Sequence, residues 1–144
     1  MKNINLNSDI GEGFGVYDIG NDTEMLKIVN SANIACGFHA GDPNVMDRVV
    51  KQSIKNGVSI GAHPGFNDLW GFGRRQIHMS TDEIEASVAY QIGALQAISA
   101  TNNAFVTHVK PHGALNNMSS LDPAIATAIA RGVNLVDPKL ILVA

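Results

Sequence analysis

Short apolar runs alternate along the chain with longer stretches whose apolar residues recur at helical spacing. That rhythm predicts repeated strand–helix units built on a parallel sheet. Strands are expected near residues 3–9, 31–37, 58–63, 105–112 and 139–144, and helices near 22–29, 43–56, 81–101 and 123–131. Boundary signals agree with several of these elements. Asp42-Pro43 and Asp122-Pro123 each place an N-capping carboxylate before a proline at the first helical position, and Ser80 with Glu83 forms a capping box. Gly57 and Gly132 are expected to terminate helices.

Strand parity sorts the side chains into two faces. Asn5, Asn7 and Asp9 share one face of the first strand, opposite Ile4, Leu6 and Ile10. The same division sets Asn33, Ala35 and Gly37 against Ile34, Cys36 and Phe38, and Ser59, Gly61 and His63 against Val58, Ile60 and Ala62. In the fourth strand His108, Lys110 and His112 oppose Val109 and Pro111. A parallel strand buried between two helical layers would be almost continuously hydrophobic. One apolar face and one polar, small-residue face instead predict an α/β fold of the (β/α) TIM-like barrel type, with helices outside and polar chemistry inside. In such barrels the site forms at the C-terminal ends of the strands, where Asp9, His39, His63 and His112 fall. A closed barrel of eight strands takes roughly 250 residues. The five strands expected here, ending on the apolar run Leu140–Ala144, therefore suggest the N-terminal portion of a single α/β-barrel domain spanning residues 1–144.

Composition narrows the range of functions. With 45% hydrophobic and 16% charged residues, the 144-residue chain has a globular balance. A net charge of -3 gives no basic stripe for phosphates, so nucleic acid is not an expected partner. No segment approaches a membrane span of about 18 apolar residues, and the first residues lack the apolar core of a secretory signal. The single cysteine, Cys36, permits no intramolecular disulfide, and the expected location is the cytoplasm.

Candidate chemistry gathers at the strand ends. Asp9-Ile10-Gly11-Glu12 supplies two carboxylates suited to act as base, ligand or substrate clamp. Its glycines do not form the dinucleotide fingerprint, since the third glycine position is Val16, and no P-loop occurs in the chain. Asn33–Pro43 joins a strand to a capped helix whose start, at Asp42, can receive an anion, while Gly37 lets a ligand approach the backbone. Parity turns Cys36 towards the helices, as a buried and inert thiol. The long stretch after His63 carries Arg74 and Arg75, a pair suited to a carboxylate or phosphate, and its length suggests a lid or binding loop. His108 and His112 cannot share an ion on an extended strand, where positions four apart are about 13 Å distant. Lys110 and His112 are placed to polarise a carbonyl and shuttle a proton, with His108 structural and deeper in the barrel.

Taken together, Asn7 to Glu12, Asn33 to Pro43, Gly61 to Arg75 and His108 to Asn117 resemble the LamB/YcsF lactam-utilisation family. The resemblance covers the whole chain in order, with Asn116 standing where the family carries a tyrosine. It implies a barrel related to those of polysaccharide deacetylases and glycosidases, and members considerably longer than this chain. It also implies hydrolytic opening of the 5-oxo-L-proline lactam to L-glutamate, with ATP as co-substrate and two companion 5-oxoprolinase subunits as partners. Under it, the catalytic candidates are Asp9, Glu12, His39, His63, Lys110 and His112. Substrate binding is expected from Asn7, Asn33, Gly37, Asp42, Arg74 and Arg75. Two alternatives stand beside this expectation. One is a divalent-metal deacetylase or amidase built on Asp9, His39 and His63; the other is a non-catalytic fragment that associates through its open edges.

Overall fold

A computed structural model describes residues 4–144; Asn3, the expected start of the first strand, lies outside the described residues. Five strands alternate with helices in chain order. They are β1 (Asn7–Ile10), α1 (Asp22–Met25), β2 (Ser31–Ala35), α2 (Pro43–Asn56), β3 (Ser59–His63), α3 (Thr81–Thr101), β4 (Val106–Val109), α4 (Gly113–Ser119), α5 (Pro123–Val136) and β5 (Ile141–Leu142). The strands are all parallel and pair in the order β1-β2-β3-β4-β5. A doubly wound sheet would reverse its order part-way. This sheet never reverses, so its helices lie on one side, and the α/β architecture is that of the first strands of a (β/α) barrel.

The register shows why the two faces differ. Ile10, Ile34, Ala62 and Val109 lie side by side across four strands and are essentially fully buried, forming an apolar row under α2 and α3. Val49 of α2 and Val88, Ile92 and Leu95 of α3 complete this core. Burying side chains of this size contributes about 1.5–3 kcal/mol each. One residue along, the neighbouring row reads Asp9, Asn33, Gly61 and His108 and points the other way. Asn33 and His108 of this row line a concavity of about 380 Å³ together with Asn7, Ser31 and Thr107.

The expected helix starts are present. Asp42 accepts from the Asn44 and Val45 amides, Asp122 accepts from Ala124, and Ser80 and Glu83 cap each other's backbone. The fourth and fifth strands are shorter than expected, β4 ending at Val109 and β5 holding only Ile141–Leu142, and three helix features also differ from expectation. The helix expected over 22–29 is a single turn, α1. Gly132 does not end a helix: α5 continues through it to Val136, because a Cβ there would sit 2.6 Å from the Glu85 carbonyl, and glycine lets α3 and α5 close together. The helix α4 was not expected at all. It begins on a glycine and has no side-chain cap, so the sequence signals of a helix start are missing. Among the described residues no helix is long and apolar enough to cross a membrane.

Candidate functional site

Four chain segments end at one place. Glu12 follows β1, His39 follows β2, His63 is the last residue of β3, and His112 caps α4 just after β4. One ligand atom from each of these residues lies within 4.8 Å of all the others. The three histidines are almost completely buried, and Glu12 is partly exposed. The His39 and His112 rings stack at 3.6 Å, while His63 meets both edge-on.

Hydrogen-bond partners set the tautomers. A carbonyl oxygen only accepts, so the ring nitrogen facing one must carry the proton. His63 Nδ1 therefore donates to the Lys110 carbonyl at 2.5 Å, and His112 Nε2 donates to the Phe72 carbonyl at 2.8 Å. In the neutral form of both rings the remaining nitrogens, His63 Nε2 and His112 Nδ1, face each other at 3.0 Å with their lone pairs. His39 Nε2 lies 3.0 Å from Glu12 Oε1, and its buried Nδ1 has no hydrogen-bond partner. A stranded acceptor is less costly than a stranded donor, so His39 carries its proton on Nε2 and donates it to Glu12. Burial depresses the His39 and His112 pKa values against the pull of Glu12. For His112 the neighbouring His39 and His63 add to burial, and its pKa falls to about 4. His112 is thus neutral at pH 7.

Asp9 sits at the rim. Its Oδ2 is 3.4 Å from His63 Nε2, and its Oδ1 accepts from Lys110 Nζ at 2.8 Å and from Asn33 Nδ2 at 2.9 Å. Burial alone would raise its pKa, but its charged and hydrogen-bonding neighbours, Lys110 and Asn33 among them, outweigh burial and hold the carboxyl well below the usual range. Asp9 is therefore a fixed anion rather than a ready proton acceptor. Asp9, His63, Lys110, His112, Arg74 and Asn116 line a polar cleft of about 320 Å³. On the other side of His39, Glu12, Tyr17, Trp70 and Phe72 border a more apolar pocket of about 460 Å³.

The expected binding residues divide into two groups. Arg74 stays exposed beside the cleft, with its guanidinium 5.5 Å from the centre of the Phe72 ring. Arg75 instead pairs with buried Asp68 through both Nε and a terminal nitrogen, so its charge serves the loop. Asp42 occupies its own helix start and also accepts from Gly15, which leaves the amides it caps closed to an anion. Asn7 and Asn33 bond to each other below the histidine cluster, and Gly37 turns the chain towards His39 with φ +88°. His108 donates from Nε2 to Asn33 Oδ1 at 3.1 Å and lies over Gly61, where any side chain would collide with its ring. Cys36 faces the helices fully buried, and burial pushes its thiol up to about 12.

Three supporting elements escaped the sequence reading. Gln91 of α3 is fully buried and clamps both the N–H and the carbonyl of Gly65, two residues after His63. A glutamine in the stripe Ile84, Val88, Ile92, Leu95 was its only signal. Asp68 accepts from the Gly71 amide and from Arg75, ordering the loop that turns the Phe72 carbonyl onto His112. Phe72 takes φ +53°, a costly conformation for such a residue, and Gly73 follows because a Cβ there would lie 2.6 Å from His39 Cβ.

Comparison with known proteins places this arrangement. The profile of the LamB/YcsF family matches residues 4–144. The chain belongs to the LamB/YcsF family. It is 57% identical to the 5-oxoprolinase A subunit of Natranaerobius thermophilus over 144 residues, which is 56% of that protein. It is 58% identical to the 5-oxoprolinase A subunit of Staphylococcus carnosus over 140 residues, again 56% of the relative. Among solved structures, the lactam utilization protein from Thermus thermophilus superposes with a TM-score of 0.96 at 46% identity, covering 98% of this chain and 57% of that one. This LamB/YcsF chain thus spans just over half the length of the relatives it matches.

Proposed function

We propose that this chain carries the catalytic half-site of a 5-oxoprolinase A subunit, which opens the 5-oxo-L-proline lactam to L-glutamate. The observation behind it is the meeting of Glu12, His63 and His112 at the strand ends of a LamB/YcsF chain whose relatives are named as 5-oxoprolinase A subunits. That name also supports a multi-subunit assembly; in our reading two companion subunits supply the ATP-dependent step, in the cytoplasm.

An unstrained lactam is a poor electrophile with a poor leaving group. Transfer of the ATP γ-phosphoryl group to the lactam oxygen makes the ring carbon electrophilic. Water positioned at the Glu12, His63 and His112 group then adds to that carbon and releases a proton. The C–N bond breaks as a proton passes to nitrogen, leaving an acyl phosphate that a second water cleaves to glutamate and phosphate. Lys110, held by Asp9, faces the negative charge that develops on oxygen, and Arg74 binds the substrate carboxylate or phosphate. The polar cleft of about 320 Å³ is the place for so small an anion.

The test is coupled formation of glutamate and ADP from 5-oxoproline and ATP, with this chain added to the companion subunits. Activity that collapses with His112→Ala supports the reading. Full activity in both Asp9→Asn and His112→Ala contradicts the residue assignment, and no activity beside an active full-length homologue contradicts the proposal for this chain.

A further inference from the structure

The two facing lone pairs need something between them. His63 Nε2 and His112 Nδ1 approach to 3.0 Å, yet in its neutral form each ring has already committed its one proton to a backbone carbonyl. Two acceptors at that distance repel unless a cation or an extra proton lies between or beside them. A carboxylate oxygen completes the group: Glu12 Oε1 is 3.5 Å from His112 Nδ1 and 4.0 Å from His63 Nε2.

We infer that Glu12, His63 and His112 form a binding site for one divalent transition-metal ion of the zinc type, with a coordination position left open towards the cleft.

Spacing supports the ion. Bonds of ~2.0–2.1 Å arranged tetrahedrally separate ligand atoms by about 3.3 Å, and the three separations of 3.0, 3.5 and 4.0 Å bracket that value. The outer shell has the form that metal-bound imidazoles take. A ligating histidine ordinarily donates its other N–H to a carbonyl or carboxylate, which fixes both its tautomer and its aim. His63 does this with Lys110 and His112 with Phe72, and His39 donates to the ligating carboxylate of Glu12. Imidazole with carboxylate suits zinc-like ions better than magnesium or calcium, which favour all-oxygen shells. Asp9 is not in the ligand set, because Lys110 and Asn33 hold its Oδ1 and Lys110 reaches its Oδ2 as well. Three protein ligands with an open position are the arrangement of a catalytic rather than a structural ion. This inference stands whichever amide the site opens, since it rests only on the ligand geometry.

The test uses the 144-residue chain, stripped with a chelator and checked for its α/β fold by circular dichroism. Zn²⁺ alone is titrated in, with Co²⁺ in parallel as a visible-absorption probe. One ion retained per chain after desalting, with Co²⁺ absorption of a low-coordinate nitrogen and oxygen site, is the expected result. His63→Gln and His112→Gln should each weaken binding on the order of 100-fold, while exposed His78→Gln leaves it unchanged. A folded wild-type chain that retains no ion overturns the inference, whatever the variants do. Unchanged affinity in both folded histidine variants also overturns it.

Discussion

The interior of this sheet holds histidines at two levels, and they behave differently. At the lower level His108 is closed: Asn33 accepts from one ring nitrogen, the Thr107 hydroxyl lies 2.8 Å from the other, and Asn33 ties in Asn7 and Asp9. Among the described residues, nothing at that level lacks a partner that a ligand would supply. One turn of chain higher, His63 and His112 spend their donors on backbone carbonyls and leave two acceptors confronting each other beside a carboxylate. Residue type and burial are the same at both levels. What separates a structural histidine from a reactive one here is whether its hydrogen-bonding capacity is already satisfied.

Substitutions at the upper level give the sharpest contrast. Glu12→Gln and His112→Ala should each lower glutamate formation in the assembled enzyme by about 10²–10⁴-fold, read as initial rates, with the fold retained by circular dichroism. A loss below tenfold would erase the distinction between the levels. At the lower level the effect should fall on stability. Asn33→Leu strands the groups of Asn7, Asp9 and His108, and should cost about 3 kcal/mol in urea unfolding.

The lower level should also give the protein an acid-sensitive limb. Burial holds the His108 pKa below its ordinary 6.5, so between the two values the unfolded chain binds a proton that the folded chain does not. The contribution of His108 is therefore complete above about pH 6.5 and is lost as pH falls towards the folded value. Urea midpoints should decline over that range, and His108→Gln should flatten the decline. The smallest effect is expected on the helical face. Cys36→Ala should cost about 1 kcal/mol and leave turnover unchanged, and the native thiol should resist alkylation at pH 8 because its pKa is about 12.

Much of this was legible in the sequence because parity and capping are local. Alternation alone put Asn33 and His108 on one face and Ile34 and Val109 on the other, and the register carries both rows across the sheet. The strand-end rule brought His39, His63 and His112 towards one place. Partner choice was not legible. Nothing in Arg74-Arg75 says that only the second arginine meets Asp68, since that pairing depends on how the loop folds. Nor does the sequence reveal that a phenylalanine carbonyl fixes the tautomer of His112, because that contact is made by backbone and joins residues 40 positions apart. Asp42 was misjudged for a related reason: the same carboxylate that marks a helix start also fills it.

In the metal-free chain the two upper imidazoles present lone pairs to each other. Long-range proton–nitrogen NMR of the chelator-treated chain, with ¹⁵N-labelled histidine at pH 7, tests it most directly. The expected result is the Nδ1–H form for His63 and the Nε2–H form for His112, each with an unprotonated nitrogen facing its neighbour. The opposite tautomer in either ring, or a shared imidazolium proton across the pair, would contradict it.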